Sequence, residues 1–209
     1  MGDLEQLRDR FVNSLDESLG LIRVVHSLTP SGKSSVGLSQ EQTYSIVELT
    51  FVRMCASWEE FLETSFVCYM TGTKTASGFG PVRYVLAPDK NHASAIIRGD
   101  REYVRWTTPS SLSDRARLCF KEGDPYSRVI DSVSNDMQDI NTVRNAVAHS
   151  SIGAFEKFKS LVREKLGTAP LGVRPATFLL TTKKAGSSAN YMSYYYNKMK
   201  MIAHRVIPA

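Results

Sequence analysis

Arg144, Asn145 and His149 are the residues of this chain whose types and spacing could do chemistry. They close the run Asp139-Ile140-Asn141-Thr142-Val143-Arg144-Asn145-Ala146-Val147-Ala148-His149. An imidazole can give or take a proton near neutral pH, a guanidinium can clamp a phosphate with two parallel hydrogen bonds, and an amide can orient either group. Such a set suits cleavage of RNA without a metal. The histidine would move a proton at the 2′-hydroxyl or the leaving oxygen while the arginine offsets charge on the phosphorane. The same residues also have a structural reading, in which the histidine complements a helix dipole and the arginine belongs to an interior ion pair.

The element that must position them reads as one long helix from about Tyr126, with Ile130, Val133, Met137, Ile140 and Val147 on one stripe. With Met137 as zero and about 100° per residue, Ile140 falls at roughly 300°, Val147 at roughly 280° and Arg144 at roughly 340°. A guanidinium therefore stands inside an apolar stripe, where it keeps its charge and is costly to desolvate without a partner. Either an acidic side chain meets it, or the stripe is an interface and cleft edge that an anion can reach. His149 lies about 140° round from Arg144 but shares a face with Asn145, four residues earlier. Fraying at Ala148 would let the imidazole swing back towards the arginine.

Other helices are legible around this segment. Leu4, Leu7, Phe11, Leu15, Leu19 and Ile22 recur at helical spacing and predict an amphipathic helix over about 3–27. The Gly32-Lys33-Ser34 triplet that follows resembles part of a phosphate loop but lacks its first glycine, since Ser27 stands there. Ser39 and Gln42 form a capping-box pattern ahead of a helix, apolar nearly all round, that runs to Gly72. Residues 73–90 are rich in Gly, Pro and small polar types, and an irregular insertion is expected around 73–112, relieved by a short helix at Asn91 to Arg98. A further helical segment opens at Ser113-Asp114 and runs through Phe120. Beyond His149, the residues Ile152, Phe155, Phe158, Val162 and Leu166 predict another amphipathic helix ended by Gly167. Residues 170–182 read as a proline-punctuated linker with one short extended run at Phe178 to Thr181, and Ser187 or Ser188 as the cap of a last helix over 189–206. The sum is a single all-α domain, 1–209, a bundle of five or six helices.

Composition narrows the class. The chain has 209 residues, of which 42% are hydrophobic and 22% charged, enough to build a sizeable core and unlike a disordered segment. Cys55, Cys68 and Cys119 are odd in number and follow no metal or redox spacing, which suggests buried thiols in a cytoplasmic protein. No basic and apolar leader opens the sequence, and no stretch is long and apolar enough to suggest a membrane span. His26 and His92 have no ligand pattern beside them, so neither a metal nor a cofactor is expected.

Positive charge gathers late. The whole chain carries +5, yet residues 151–209 hold ten Lys and Arg against only Glu156 and Glu164, so the preceding part is acidic. A basic end permits a polyanionic partner such as RNA. The last helix mixes Tyr191, Tyr194, Tyr195, Tyr196, Lys198, Lys200, His204 and Arg205. Lys183, Lys184, Tyr195 and Lys198 are the candidate RNA contacts, because tyrosines stack on bases and lysines meet phosphates. Part of that helix, with Tyr191, Tyr195, Lys198 and Ile202 on one face, should also pack in the core.

Arg144-Asn145-Ala146-Val147-Ala148-His149 resembles the Rx4-6H motif of the HEPN superfamily, in which a polar residue often follows the arginine. Trp58-Glu59-Glu60-Phe61-Leu62, the run from Arg115 to Phe120, Asp124-Pro125-Tyr126, and Ala148-His149-Ser150-Ser151 with Phe155 and Phe158 are similar to its prokaryotic RiboL-PSP-type branch. The likeness covers roughly residues 40–165. It implies a HEPN-like helical bundle, a homodimer whose two motifs meet across a two-fold cleft, and a metal-independent endoribonuclease leaving a 2′,3′-cyclic phosphate. It further implies a toxin or anti-phage effector that meets an antitoxin or other defence-system protein. Some toxin members carry a tyrosine two residues after the histidine, where this chain has Ser151. Other members are non-catalytic modules that bind RNA, a nucleotide or a protein, and that is the alternative function.

Overall fold

The computed structural model describes residues 2–28, 37–100, 102–149, 151–183 and 189–209. Among those residues 71% are helical and none forms a β-strand, so the all-α class read from the sequence holds. Two isolated bridges, Arg83 with Phe120 and Thr182 with Asn190, are the extended pairings described.

Nine α-helices are described: α1 (Asp3–Ser27), α2 (Gln40–Met70), α3 (Lys90–Arg98), α4 (Pro109–Cys119), α5 (Tyr126–Asp131), α6 (Ser134–Ala148), α7 (Ile152–Leu166), α8 (Pro175–Leu180) and α9 (Tyr191–Val206). The capping box ahead of α2 forms in both directions, with Gln42 N donating to Ser39 Oγ at 3.2 Å and Ser39 N to Gln42 Oε1 at 2.8 Å. Gly72, at φ 89°, turns the chain out of α2, and a Cβ there would meet Arg83 Nη1 at 2.5 Å. Gly167 ends α7 in the left-handed region at φ 78°, as its position in the sequence suggests.

Three sequence expectations change. The long helix from Tyr126 is two helices: Val133 N donates to Ile130 O at 3.0 Å, three residues back, and this tight turn resets the register before α6. Residues 175–180 form α8 rather than an extended run. Pro175 suits the first helical position, and Thr177 Oγ1 accepts from Arg174 N at 3.1 Å. These breaks, with the separate α3 and α4, raise the helix number above five or six. The Gly32-Lys33-Ser34 triplet and the Ser187 and Ser188 caps lie outside the described residues. Asn190 does the capping of α9 that is described, accepting from Ser193 N at 2.9 Å.

The chain divides into two compact units. The first comprises Met1–Asn13, Ser57–Gln138 and Lys198–Ala209. Its core is aromatic: Phe66 lies 4.8 Å from Phe120, 5.0 Å from Tyr126 and 5.4 Å from Trp106, centroid to centroid. Buried hydroxyls there are satisfied, since Tyr126 Oη and Ser65 Oγ are 2.8 Å apart and Tyr69 Oη donates to Val206 O at 2.8 Å. Each such fully buried aromatic contributes about 1.5–3 kcal/mol by leaving water.

The second unit comprises Ser14–Ala56 and Asp139–Asn197. Phe178 of α8 packs against Phe158 of α7 at 5.9 Å and stacks on Tyr191 of α9 at 4.3 Å. Arg174 docks the start of α8 onto α2 through Glu48, by Nε to Oε1 at 3.0 Å and Nη2 to Oε2 at 3.1 Å, while Nη1 reaches Glu41 at 2.5 Å. Cys55 in this unit, and Cys68 and Cys119 in the first, are free, buried thiols.

Candidate functional site at the end of α6

Within α6, Val143 and Ile140 are buried and Arg144 is half-buried beside them, so the charge does sit within the apolar arc of the helix. Arg144 Nη1 donates to Asn145 Oδ1 at 3.0 Å. Two aspartates on the same helix are engaged by lysines: Asp139 with Lys165 at 2.8 Å and Asp136 with Lys198 at 2.8 Å.

The helix ends without a glycine. His149 N donates to Asn145 O at 3.0 Å, the last bond of helical type, and the residue itself is exposed. Ser151 then caps α7 by accepting from Ala154 N at 3.2 Å, so His149 stands in the short connection from α6 to α7. Asn145 thus contacts both of the other candidates, one through its side chain and one through its backbone. Helical spacing gives Asn145 only a shared face with His149, and the side-chain link to Arg144 is visible in the folded chain alone.

Around this corner the charges are ordered by burial and pairing. Burial works against the Lys165 ammonium, but hydrogen bonds to Asp139 and Glu164 outweigh it and raise its pKa above the ordinary lysine value. Burial pushes the Tyr191 hydroxyl upward as well. Its side chain approaches Lys165 O at 3.5 Å.

The candidate RNA contacts separate. Lys183 is exposed, with Nζ 3.0 Å from the centroid of Tyr194, so a cation and an aromatic ring do come together. Lys184 lies outside the described residues. Tyr195 is fully buried among Phe51, Tyr191 and Tyr194, and that corrects the expectation of a base-stacking ring. Its spacing of four from Tyr191 puts it on the packed face of α9. Lys198 is half-buried against Asp136.

The start of α7 is also corrected. Phe158 and Val162 are buried as their spacing suggests, but Ile152 is 83% exposed and Phe155 38% exposed. An apolar period alone could not show that the stripe's first turn outruns the core. The Arg174, Glu48 and Glu41 cluster was likewise hidden, because its members stand far apart in sequence.

Among the described residues no three of His, Cys, Asp and Glu gather closely enough to hold a metal ion, and no helix is long and apolar enough to cross a membrane. An open pocket of about 270 Å³ in the first unit is lined by Phe79, Gly80, Pro81, Val82, Lys121, Glu122 and Asp124, none of them a candidate above. No protein-family model, curated protein or solved structure matches the chain.

Proposed function

We propose that the protein is a metal-independent, HEPN-type endoribonuclease, acting as a cytoplasmic homodimer in a toxin or anti-phage role. The observation that carries this reading is the Asn145 link: one residue holds a half-buried guanidinium and the backbone of an exposed histidine at the same helix end. A guanidinium keeps its charge at any pH the protein meets, so once aimed it can offset an anion.

In this mechanism His149 takes the proton of an RNA 2′-hydroxyl as that oxygen attacks the adjacent phosphorus. A proton is delivered to the departing 5′-oxygen, and the products are a 2′,3′-cyclic phosphate and a 5′-hydroxyl. Arg144 offsets the charge that builds on the phosphorane, and Asn145 aims the guanidinium. A second copy would supply the opposite motif, so that the two histidines share acid and base work.

The test is incubation of the purified protein with single-stranded RNA in excess EDTA, with the 3′-ends of the products identified. Cleavage that leaves cyclic phosphate and disappears in Arg144→Ala and in His149→Ala supports the reading. Cleavage that needs a divalent ion, or that survives both substitutions, overturns it. Intact RNA that is nonetheless bound would mark a non-catalytic binding module.

A further inference from the structure

We infer that Phe155 is a nucleobase-stacking residue for the RNA that reaches His149; this assignment rests on the ribonuclease reading above.

Phe155 occupies the first turn of α7, with its N–H donating to Ser151 O at 3.2 Å. Its ring lies 5.9 Å from the buried Phe158 ring at an interplanar angle of 40°, while 38% of the residue remains open to solvent. The contact with Phe158 limits the ring's freedom, which lowers the entropy lost when a base stacks on it. Lys159 Nζ lies over the ring, 5.6 Å from its centroid, and pairs with Glu156, so a stacking base must displace this flexible side chain from the ring. Ile152, 83% exposed, stands beside Phe155 in the first turn of this helix, whose start follows the candidate histidine.

The charge around the pair selects nucleic acid over a protein seam. Along α7, Glu156 pairs with Lys159 at 2.5 Å and Glu164 with Lys165 at 3.0 Å, while the cations Lys157 and Arg163 are exposed. The solvent face of the helix is thus net positive and complements a polyanion. Reach is sufficient too. Three residues of connection and one helical turn place the Phe155 backbone within about 16 Å of that of His149. That span corresponds to roughly two nucleotides of extended strand.

Stacking on an aromatic side chain recognises a base by its π-face, so the effect should depend on the base and not on the phosphate. The full-length protein is titrated, in EDTA and at fixed salt, with a fluorescein-labelled single-stranded oligoribonucleotide and with a ribose-phosphate oligomer of the same length lacking bases. Phe155→Ala should weaken binding of the first about tenfold and leave the second unchanged, and Phe155→Trp should restore the first. Lys157→Ala should weaken both alike and flatten the salt dependence. The inference is overturned if Phe155→Ala is without effect, if it weakens both oligomers equally, or if Phe155→Leu restores binding as fully as tryptophan. It is also overturned if Phe155→Ala converts a dimer to a monomer in light scattering, because the residue would then be part of a seam between copies. Base-dependent binding without cleavage by the unaltered protein leaves the stacking assignment standing and removes the ribonuclease reading.

Discussion

Arg144 Nη1 donates to the side-chain oxygen of Asn145, its neighbour in sequence, over 3.0 Å. The half-buried charge is thereby tied to its neighbour, which helps to set where the guanidinium points. On the proposed mechanism, Asn145→Ala should lower the rate of RNA cleavage by about tenfold with little change in melting temperature, whereas Asn145→Asp should lower it further by neutralising the cation. Single-turnover cleavage and thermal melting of the three proteins check this. Equal rates in all three would remove Asn145 from the site.

Arg174 and Glu48 make a second arginine contact, between the start of α8 and α2 in the same unit. Two parallel hydrogen bonds join them, and Glu48 Oε1 also accepts from Ala176 N at 3.1 Å. The hydrogen bonds to Glu48 are the largest influence raising the Arg174 pKa above its ordinary value. Glu48→Ala would leave the partly buried guanidinium with the exposed Glu41 alone and free the start of α8, at a cost of about 2 kcal/mol. Urea unfolding is the measurement. Glu41→Ala is the comparison, because that carboxylate is 80% exposed and its loss should cost under about 1 kcal/mol.

How much of this could be read from the sequence depends on range. α1 and α2 follow from apolar spacing and a local cap, and both appear within a residue or so of the expected bounds. The motif at the end of α6 is local as well, so its helix and the burial of Met137 and Ile140 were legible, whereas the stripe left out the buried Val143 and counted Val147, which is half-buried. The break at Ser132 was not: Ser132 Oγ bonds back to Val129 O at 2.7 Å, a choice the backbone makes only in competition with continued helix. α8 has six residues, too few for a helical period to stand out from an extended run. Tyr195 and Phe155 carry the opposite lesson, since both lie on apolar faces and only tertiary packing decides which face is covered.

Two glycines should respond in opposite directions to the same substitution. Gly123 holds φ 74°, and a Cβ there would clash with Ser127 Oγ, itself buried and bonded to Ser113. Gly123→Ala should therefore destabilise the protein by about 2–3 kcal/mol through strain and the shift forced on Ser127. Gly20 lies within α1, and a Cβ added there would have no neighbour within 4 Å. Gly20→Ala should add up to about 1 kcal/mol by raising helix propensity. Chemical denaturation of both variants tests the pair, and a gain at position 123 would show that the tight contact with Ser127 is wrong.

Glu5 should make the fold sensitive to acid. Its carboxylate is buried and accepts from Ala76 N at 2.6 Å, tying α1 to the loop after α2. That backbone hydrogen bond is the main cause lowering its pKa below the ordinary 4.5, with Arg8 helping and burial opposing. A depressed carboxyl pKa contributes stability that is fully present above the unfolded value, and the contribution is lost as pH falls through the folded value. The window therefore opens below pH 4.5 and leaves stability at neutral pH intact. Glu5→Gln keeps the shape but removes the charge. It should be less stable than the unaltered protein at neutral pH, and the difference should shrink steadily on acidification below 4.5. Urea midpoints of the two proteins, taken across that range, give the answer. A difference independent of pH would mean that the carboxylate is not the group holding the loop.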